Sequence, residues 1–241
     1  MTSLYDTLQM QALKLCHQID TPNEIVKVKA RTLSTEEAIG NPEADDFPLQ
    51  KGKERLMQAQ FGRGLGQAFT DQFGDYEGCL LDILAMPLSN NYRRAVFIAT
   101  LNALLHHMRR ITGTLHCRDR EPIDCARKFA AHLKARYGPA KIGQIGFQPR
   151  LVEAIGEAFP LRLMDLDPEN IGTRKFNVLV EKPEAKEDVI HWSDVLLVTG
   201  STVVNGTIEH FLGEKPVIFY GTTISGASHL MGWERFCACS H

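Results

Sequence analysis

Residues 141–147 read Lys-Ile-Gly-Gln-Ile-Gly-Phe, and residues 194–200 read Asp-Val-Leu-Leu-Val-Thr-Gly. Both are short runs that end in or near glycine, a pattern typical of a buried strand followed by a turn. The same pattern predicts further strands at 161–167 and 216–221, and helices at 149–159, 203–212 and 225–231. Strands that alternate with helices need crossover connections, so the second half of the chain is predicted to form a parallel, doubly wound sheet.

The sequence before Gly138 follows a different pattern. It predicts a half-exposed strand at 25–31 and helices at 4–19, 77–86, 92–110 and 124–137. Residues 34–53 combine glycine, proline and acidic residues, which is typical of a loop. The predicted fold class is therefore α/β, with a small α+β domain at residues 1–138 and a Rossmann-like, parallel-sheet domain at residues 139–241.

Several residues of the first half bear on packing. Three alternate glycines, at positions 62, 64 and 66, lead into another short strand and indicate close approach of another backbone segment. Cys16 and Cys79 lie on apolar helical faces and are predicted to be small core residues. Asn102 lies on the apolar face of the helix at 92–110, where it is either a satisfied core amide or a group turned towards a cleft.

Composition narrows the class of protein. The chain has 241 residues, of which 44% are hydrophobic and 23% are charged, as in ordinary globular proteins. A net charge of -2 removes the usual electrostatic argument for binding nucleic acid. The longest apolar stretch, near 95–105, is shorter than the roughly 20 residues that span a bilayer. No signal peptide is evident, so we expect a cytoplasmic protein whose cysteines are thiols or metal ligands.

Cysteine and histidine are concentrated in two short clusters, one at residues 116–125 and one at residues 237–241. Together the clusters contain His116, Cys117, Cys125, Cys237, Cys239 and His241. Thiolate and imidazole groups bind transition metals such as zinc, and thiolates also hold iron–sulfur clusters. The spacing matches no standard zinc-finger or ferredoxin motif, so a closed site requires both clusters to meet in space. The alternative is two unrelated pairs of thiols.

Small and polar residues follow each predicted strand of the second half. In a doubly wound sheet, ligands bind beyond the carboxyl ends of the strands, where backbone N–H groups can hold a phosphate or carboxylate. The predicted ligand-binding residues are Gly146, Phe147, Asp165, Thr199, Gly200, Ser201, Asn205, Gly221, Thr222, Thr223 and Ser225. Residues 143–146 lack the third glycine of a dinucleotide fingerprint, although Asp165 lies about where a ribose-binding acid is expected.

Five stretches carry a resemblance to a known family. In the first half they are Ser89-Asn-Asn-Tyr and Leu101-Asn-Ala-Leu, and in the second half they are residues 141–147, 198–207 and 219–225. Together they resemble the heavy-metal chelation domain family of bacteria and archaea. The resemblance extends over most of the chain from about Gly62 onward.

The resemblance implies an N-terminal domain similar to the enolase N-terminal fold, followed by a Rossmann-like domain, with a cleft between them. It also implies a homodimer and a role in heavy-metal handling or in anaerobic cobalamin-related metabolism. It implies no particular reaction. No Gly-x-Ser-x-Gly elbow or local Cys-His-Asp arrangement indicates a nucleophile, so no catalytic residue is assigned.

Three functional hypotheses follow from the sequence. The first is a metal-handling protein that binds a transition metal or iron–sulfur cluster through both Cys/His clusters and holds an anionic small molecule or metal chelate in the cleft. The second is an enzyme or sensor that binds a nucleotide or adenosylmethionine, with incidental cysteines. The third is a structural partner subunit whose cleft has lost its ligand.

Overall fold

The computed structural model describes residues 3–20, 23–29, 54–213 and 215–241. The loop predicted at 34–53 lies outside the described residues. The first half forms an antiparallel sheet of four strands in the order β3-β2-β1-β4. These strands are β1 (Ile25–Lys29), β2 (Arg55–Phe61), β3 (Gly64–Thr70) and β4 (Tyr76–Cys79), and the helices of this half are α1 (Leu4–Cys16), α2 (Leu80–Ala85) and α3 (Asn91–His107).

Helix α3 lies at the centre of the molecule. Its N-terminus is capped by Asn90, whose side chain accepts a hydrogen bond from the Arg93 N–H at 2.9 Å. Every residue from 95 to 105 is buried, so the helix is covered on all sides. It packs on β3 at two glycines. A Cβ atom at Gly66 would lie 2.3 Å from the Ala103 nitrogen, which confirms the close backbone approach predicted from the glycine spacing.

The second half forms a seven-stranded sheet in the order β11-β10-β9-β5-β6-β8-β7. Neighbouring strands are parallel apart from the antiparallel pair β7 and β8. The strands are β5 (Ile142–Ile145), β6 (Leu161–Met164), β7 (Arg174–Lys175), β8 (Val178–Glu181), β9 (Val195–Thr199), β10 (Val217–Tyr220) and β11 (Arg235–Phe236). A mixed α/β fold with an antiparallel first sheet and a mostly parallel second sheet is confirmed.

In the described part of the chain, five α-helices accompany this sheet: α4 (Glu121–Tyr137), α5 (Pro149–Ala158), α6 (Lys186–Trp192), α7 (Thr202–Asn205) and α8 (Ser225–Met231). The helix predicted at 203–212 is broken. It ends at Gly206, whose φ of 76° is left-handed, and a 3₁₀-helix at Ile208–Phe211 follows. The hairpin of β7 and β8 and the helix α6 are additions that the strand pattern alone did not predict.

Without the hairpin strand β7, the strand order is that of a dinucleotide-binding sheet. Counted along the chain, the six parallel strands run 3-2-1-4-5-6, with β5 as the first. The chain leaves β5 for β6 on one side and later returns to β9 on the other. The order therefore reverses between β5 and β9, and a crevice opens at the carboxyl ends of these two strands.

The two sheets share a hydrophobic core. One cluster of buried side chains runs from Phe97 and Leu104 in α3 to Val198 and Phe219 in the parallel sheet. Helix α4 precedes the predicted boundary at Gly138, yet it packs with the parallel sheet through Phe129 in a second cluster. The boundary therefore stays a prediction. None of the helices within the described ranges is long and apolar enough to cross a membrane.

Candidate functional site

A cavity of about 610 Å³ lies at the carboxyl ends of β5, β9 and β10, with its other wall formed by residues of the first half. Ligand sites in proteins have this size and occur at this position in doubly wound sheets. Nine of the predicted ligand-binding residues line it: Gly146, Phe147, Asp165, Thr199, Gly200, Ser201, Asn205, Gly221 and Thr223. The fold therefore brings the three glycine-containing loops to one place.

Thr222 and Ser225 were also predicted to contact a ligand, and they do not line the cavity. Both side chains are buried. The Ser225 hydroxyl donates a hydrogen bond to the Gly113 carbonyl at 2.9 Å, so it joins the loop after β10 to the first half of the chain. The sequence pattern does not distinguish these two residues from neighbours that line the cavity.

Asn102 is a satisfied core amide, which settles the alternative left open by the sequence. Its Nδ2 donates to the carbonyl oxygens of Gln67, Thr222 and Thr223 at 2.9–3.2 Å. Its Oδ1 accepts the Gly226 N–H at 2.7 Å. The side chain is fully buried, so these four hydrogen bonds fix the loop after β10 against β3 of the other sheet.

Two backbone N–H groups at the loop after β5 are engaged by side chains of the protein. Asp165 accepts the Phe147 N–H at 2.6 Å. The Gln148 side chain accepts the Leu151 N–H at 2.5 Å, and Pro149 has no N–H to offer. In a dinucleotide site these groups would face a phosphate. Here the loop is organised by the protein itself, and Asp165 acts as its anchor.

The first half contributes lining residues that the sequence analysis missed: Glu54, Phe69, Asp71, Asn91 and His116. The structure brings His116, predicted as a metal ligand, to the cavity wall, where its ring meets Phe69 edge-on at 5.4 Å between centroids. Burial lowers the pKa of His116, so its ring is neutral near pH 7. No local pattern marks these residues as lining of the cavity, because only the packing of the two sheets places them together.

The described lining of the cavity carries a surplus of negative charge. Four carboxyl groups line it, those of Glu54, Asp71, Asp165 and Asp167, against one lysine, Lys186. Burial, together with the charges of Asp165, Asp71 and Asp167, raises the pKa of Glu54 to about 7. This shift has the sign expected when a carboxyl group is buried among like charges.

The second predicted site, at the two Cys/His clusters, is assembled by the C-terminal residues. These run along helix α4 towards its N-terminus. Phe236 stacks on Phe129 at 4.3 Å between ring centroids, and the Lys128 Nζ lies 3.8 Å from the Cys239 Sγ. Leu115 and His241 exchange two backbone hydrogen bonds, at 2.7 and 3.0 Å, which fasten the end of the chain beside the loop that holds His116 and Cys117.

Folding therefore brings the two clusters together, which is the condition for a metal site that uses ligands from both. Cys125 and Cys237 are hydrogen-bonded to each other through their sulfur atoms. This bond lowers the pKa of Cys237 well below its usual value, and the charge of Arg235 and a hydrogen bond with Ser240 act in the same direction. Cys125 keeps its proton, because the same bond and burial raise its pKa. The contact therefore favours the thiolate form of Cys237 and the thiol form of Cys125.

The remaining predicted ligands surround this pair. We call Cys117, Cys125, Cys237 and Cys239 the thiol patch. Cys117 is buried, which raises its pKa, and its sulfur lies 4.0 Å from the Nδ1 of His116. At the outer edge, the Nε2 of His241 contacts the Oε2 of Glu121 at 2.9 Å. Within the described ranges, no group of three or more His, Cys, Asp or Glu side chains is arranged to hold a metal ion.

Cys16 and Cys79 belong to a different region. Cys16 is buried in the core, where burial raises its pKa to about 11, and Cys79 is partly buried at the end of β4. Cys79 lies next to Asn23, at 4.0 Å between its sulfur and the amide oxygen. It is therefore a useful reference thiol that has no part in the patch.

Comparison with known proteins agrees with the family resemblance. Residues 132–229 match the sequence model of the DUF364 family, described as "putative heavy-metal chelation". A crystal structure of a DUF364 protein of unknown function from Pyrococcus horikoshii is 16% identical with a TM-score of 0.54, and the alignment covers 92% of this chain and 80% of that chain. Another, from Desulfitobacterium hafniense DCB-2, is 16% identical with a TM-score of 0.52, covering 73% and 72%.

The resemblance seen in the sequence is confirmed by these matches. At 16% identity, the likeness to the two solved structures shows the fold alone. No curated protein matches the chain.

Proposed function

We propose that this protein binds a soft metal ion through the sulfur atoms of Cys125 and Cys237. The observation that supports this most strongly is their hydrogen-bonded contact, which joins two clusters separated by more than a hundred residues of sequence. Thiolate is the ligand of a soft ion, and only the deprotonated form binds. The lowered pKa of Cys237 favours that form, so Cys237 releases its proton to a metal more readily than Cys125 does.

The donor set fits some metals better than others. A structural zinc site needs four ligands in a tetrahedron, with sulfur about 2.3 Å from the metal. No three such ligands are arranged for a metal among the residues that the structure describes. A pair of sulfur ligands suits an ion that accepts few and soft ligands, such as Cu(I). Cys117, Cys239, His116 and His241 belong to the same two clusters, but they are not arranged with the pair as a closed metal site in the described part of the chain.

The description of the matching family, heavy-metal chelation, supports the same class of ligand. The link to cobalamin-related metabolism and the homodimer, both implied by the resemblance, remain proposals without support from the geometry. The alternative with incidental cysteines is weakened by the contact between Cys125 and Cys237, because unrelated thiols have no reason to lie against each other as a thiol–thiolate pair.

Metal titration of reduced protein under anaerobic conditions tests the proposal. Cu(I) would be supplied in competition with a chromogenic Cu(I) chelator, and Zn²⁺ in a parallel series. We expect one Cu(I) per chain, with affinity lowered by about 100-fold or more in Cys125→Ser and Cys237→Ser. Cys79→Ser is the matched control and should bind as the wild type does. Unchanged Cu(I) affinity in Cys237→Ser would refute the proposal.

A further inference from the structure

We propose that the cavity binds a cationic small molecule of about nucleoside size and discriminates against phosphorylated ones. This inference goes beyond the metal site and does not depend on it, because it rests on a different set of residues. It also revises the anionic ligand expected from the sequence. Three observations carry it: the position and size of the cavity, the charges of its described lining, and the engagement of the loop donors that would otherwise face a phosphate.

The cavity has the position and the size of a small-molecule site. The cavity lies where the strand order of the parallel sheet reverses, the place at which this architecture binds nucleotide-like molecules. Its volume of about 610 Å³ is within the range of small-molecule sites. Apolar side chains from both halves of the chain form much of its wall: Phe69, Ile145, Phe147, Met164, Leu166 and Phe211. Such a wall suits a flat ring system.

The described lining of the cavity carries more acidic than basic side chains. Asp71 enters from the end of β3, where its Oδ1 accepts a hydrogen bond from the side chain of Asn91 at 2.7 Å. Asp165 and Asp167 follow β6 on the facing side, so acidic groups lie on both sides of the cavity. The lysine that lines it, Lys186, lies 3.3 Å from the Glu187 carboxylate, which offsets its charge. In a confined space with apolar walls, this arrangement favours cations and repels anions.

The third observation concerns the loop after β5, which in a dinucleotide site faces the phosphates. The Phe147 N–H is taken by a carboxylate and the Leu151 N–H by the Gln148 side chain. A phosphate bound at these two N–H groups would have to displace their partners and then lie beside Asp165. A ligand with positive charge and hydroxyl groups meets neither obstacle. The Thr199 and Ser201 hydroxyls on the next loop are hydrogen-bonded to each other at 3.1 Å, and because a hydroxyl oxygen has two lone pairs it can also accept from such groups.

Two adenosine derivatives that differ by one charge test the inference. Adenosylmethionine carries a sulfonium cation, and adenosylhomocysteine is its neutral thioether counterpart. ADP supplies the phosphorylated competitor. Binding to metal-free protein would be measured by calorimetry, which keeps the result independent of the thiol patch. We expect adenosylmethionine to bind about tenfold more tightly than adenosylhomocysteine, and ADP to bind most weakly.

Two isosteric variants and a control assign the preference to the cavity. Asp71→Asn removes one negative charge and keeps the side chain's size, so the tenfold ratio should fall to about threefold or less while adenosylhomocysteine affinity changes less than about twofold. Glu54→Gln should act in the same direction. Asp71 and Asp75 are both exposed, but only Asp71 lines the cavity, so Asp75→Asn should leave the ratio unchanged.

Three outcomes would overturn the proposal. One is ADP binding as tightly as adenosylmethionine, and another is a ratio that neither cavity variant lowers. The third is the lack of binding by both nucleosides at millimolar concentration. A failure of this kind leaves the metal proposal intact, since Cu(I) affinity is measured separately through Cys125 and Cys237.

Discussion

His116 lies between the cavity and the thiol patch: it lines the cavity, and its Nδ1 lies 4.0 Å from the Cys117 sulfur. The two regions are nevertheless built in different ways. The cavity is lined by loops that buried hydrogen bonds hold in place, above all those of Asn102 and Asp165. The thiol patch depends on a short C-terminal segment fastened by an aromatic stack and two backbone hydrogen bonds. The first is a preformed space, and the second is a set of four thiols, of which Cys117 is buried and the other three are partly buried.

Electrostatics separates the two regions further. The cavity concentrates carboxyl groups, so that Glu54 is protonated more readily than a free glutamate. The patch, in contrast, stabilises a thiolate through a neighbouring thiol and the charge of Arg235. One chain therefore offers two unlike environments side by side, an acidic cavity and a cluster of thiols. Each can be identified from the chemistry of its own residues.

Deletion of residues 237–241 should separate the two regions most strongly. The truncated protein loses Cys237 and Cys239, so its Cu(I) affinity should fall by about 100-fold or more. Its affinity for adenosylmethionine should stay within about twofold of wild type, because no lining residue is removed. Parallel titrations of both ligands measure the effect. Equal losses for the two ligands would mean that the cavity depends on the C-terminal segment.

Asn102→Ala tests whether buried hydrogen bonds hold the cavity in shape. The change leaves three carbonyl groups and one N–H without their partner, and we expect it to lower the free energy of unfolding by about 3 kcal/mol. Urea denaturation monitored by far-UV circular dichroism gives the value. Asn170→Ala is a suitable control, since that side chain is partly buried and makes a single long contact, at 3.4 Å to Asp165. A loss below about 1 kcal/mol for Asn102→Ala would contradict this account.

Glu54→Gln should stabilise the protein at high pH and not at low pH. The folded-state pKa of Glu54, about 7, exceeds the usual value of 4.5, so the folded protein binds this proton more tightly than the unfolded chain. The favourable contribution is complete below pH 4.5 and is lost as pH rises through 7. The variant should therefore gain about 2 kcal/mol at about pH 8 and almost nothing at about pH 4. A gain that does not depend on pH would show that Glu54 is not held among like charges.

Thiol reactivity gives the smallest and most local effect. Cys237 should react with iodoacetamide fastest of all the cysteines at about pH 6.5, because the hydrogen bond from Cys125 and the charge of Arg235 lower its pKa well below the usual value. Replacing its hydrogen-bond donor, in Cys125→Ala, should slow the alkylation of Cys237 at that pH by about fivefold. Peptide mass spectrometry follows each site, with Cys79 as the internal reference. Equal rates at Cys79 and Cys237 in the wild type would remove the basis for a thiolate here.

The parallel sheet, its glycine-ended loops and the cysteines of the thiol patch could be predicted from the sequence. The strand-helix alternation after residue 141 encodes the sheet locally, and the carboxyl ends of its strands then meet at one edge by topology alone. Cysteine and histidine are uncommon residues, so their concentration in two short clusters already indicates metal chemistry at the level of the sequence. The close approach at Gly66 was likewise predictable, because only glycine leaves room for a helix there.

Other features could not be predicted in this way. Asp71 and Glu54 lie at the ends of ordinary strands, and only the packing of one sheet against the other turns them towards the cavity. Asp165 was predicted to contact a ligand, whereas both of its oxygens accept hydrogen bonds from nearby backbone N–H groups. Such use of a carboxylate by its own loop depends on the folded positions of donor and acceptor atoms, which no spacing in the sequence specifies.

The central claim is that Cys125 and Cys237 act together as the two sulfur ligands of a soft metal ion. A crystal of the reduced protein loaded with one equivalent of Cu(I), studied by anomalous diffraction at the copper edge, tests it most directly. The claim predicts one anomalous peak within bonding distance of both sulfur atoms. A peak among the cavity carboxylates, or at Cys79, with none at this pair, would contradict it.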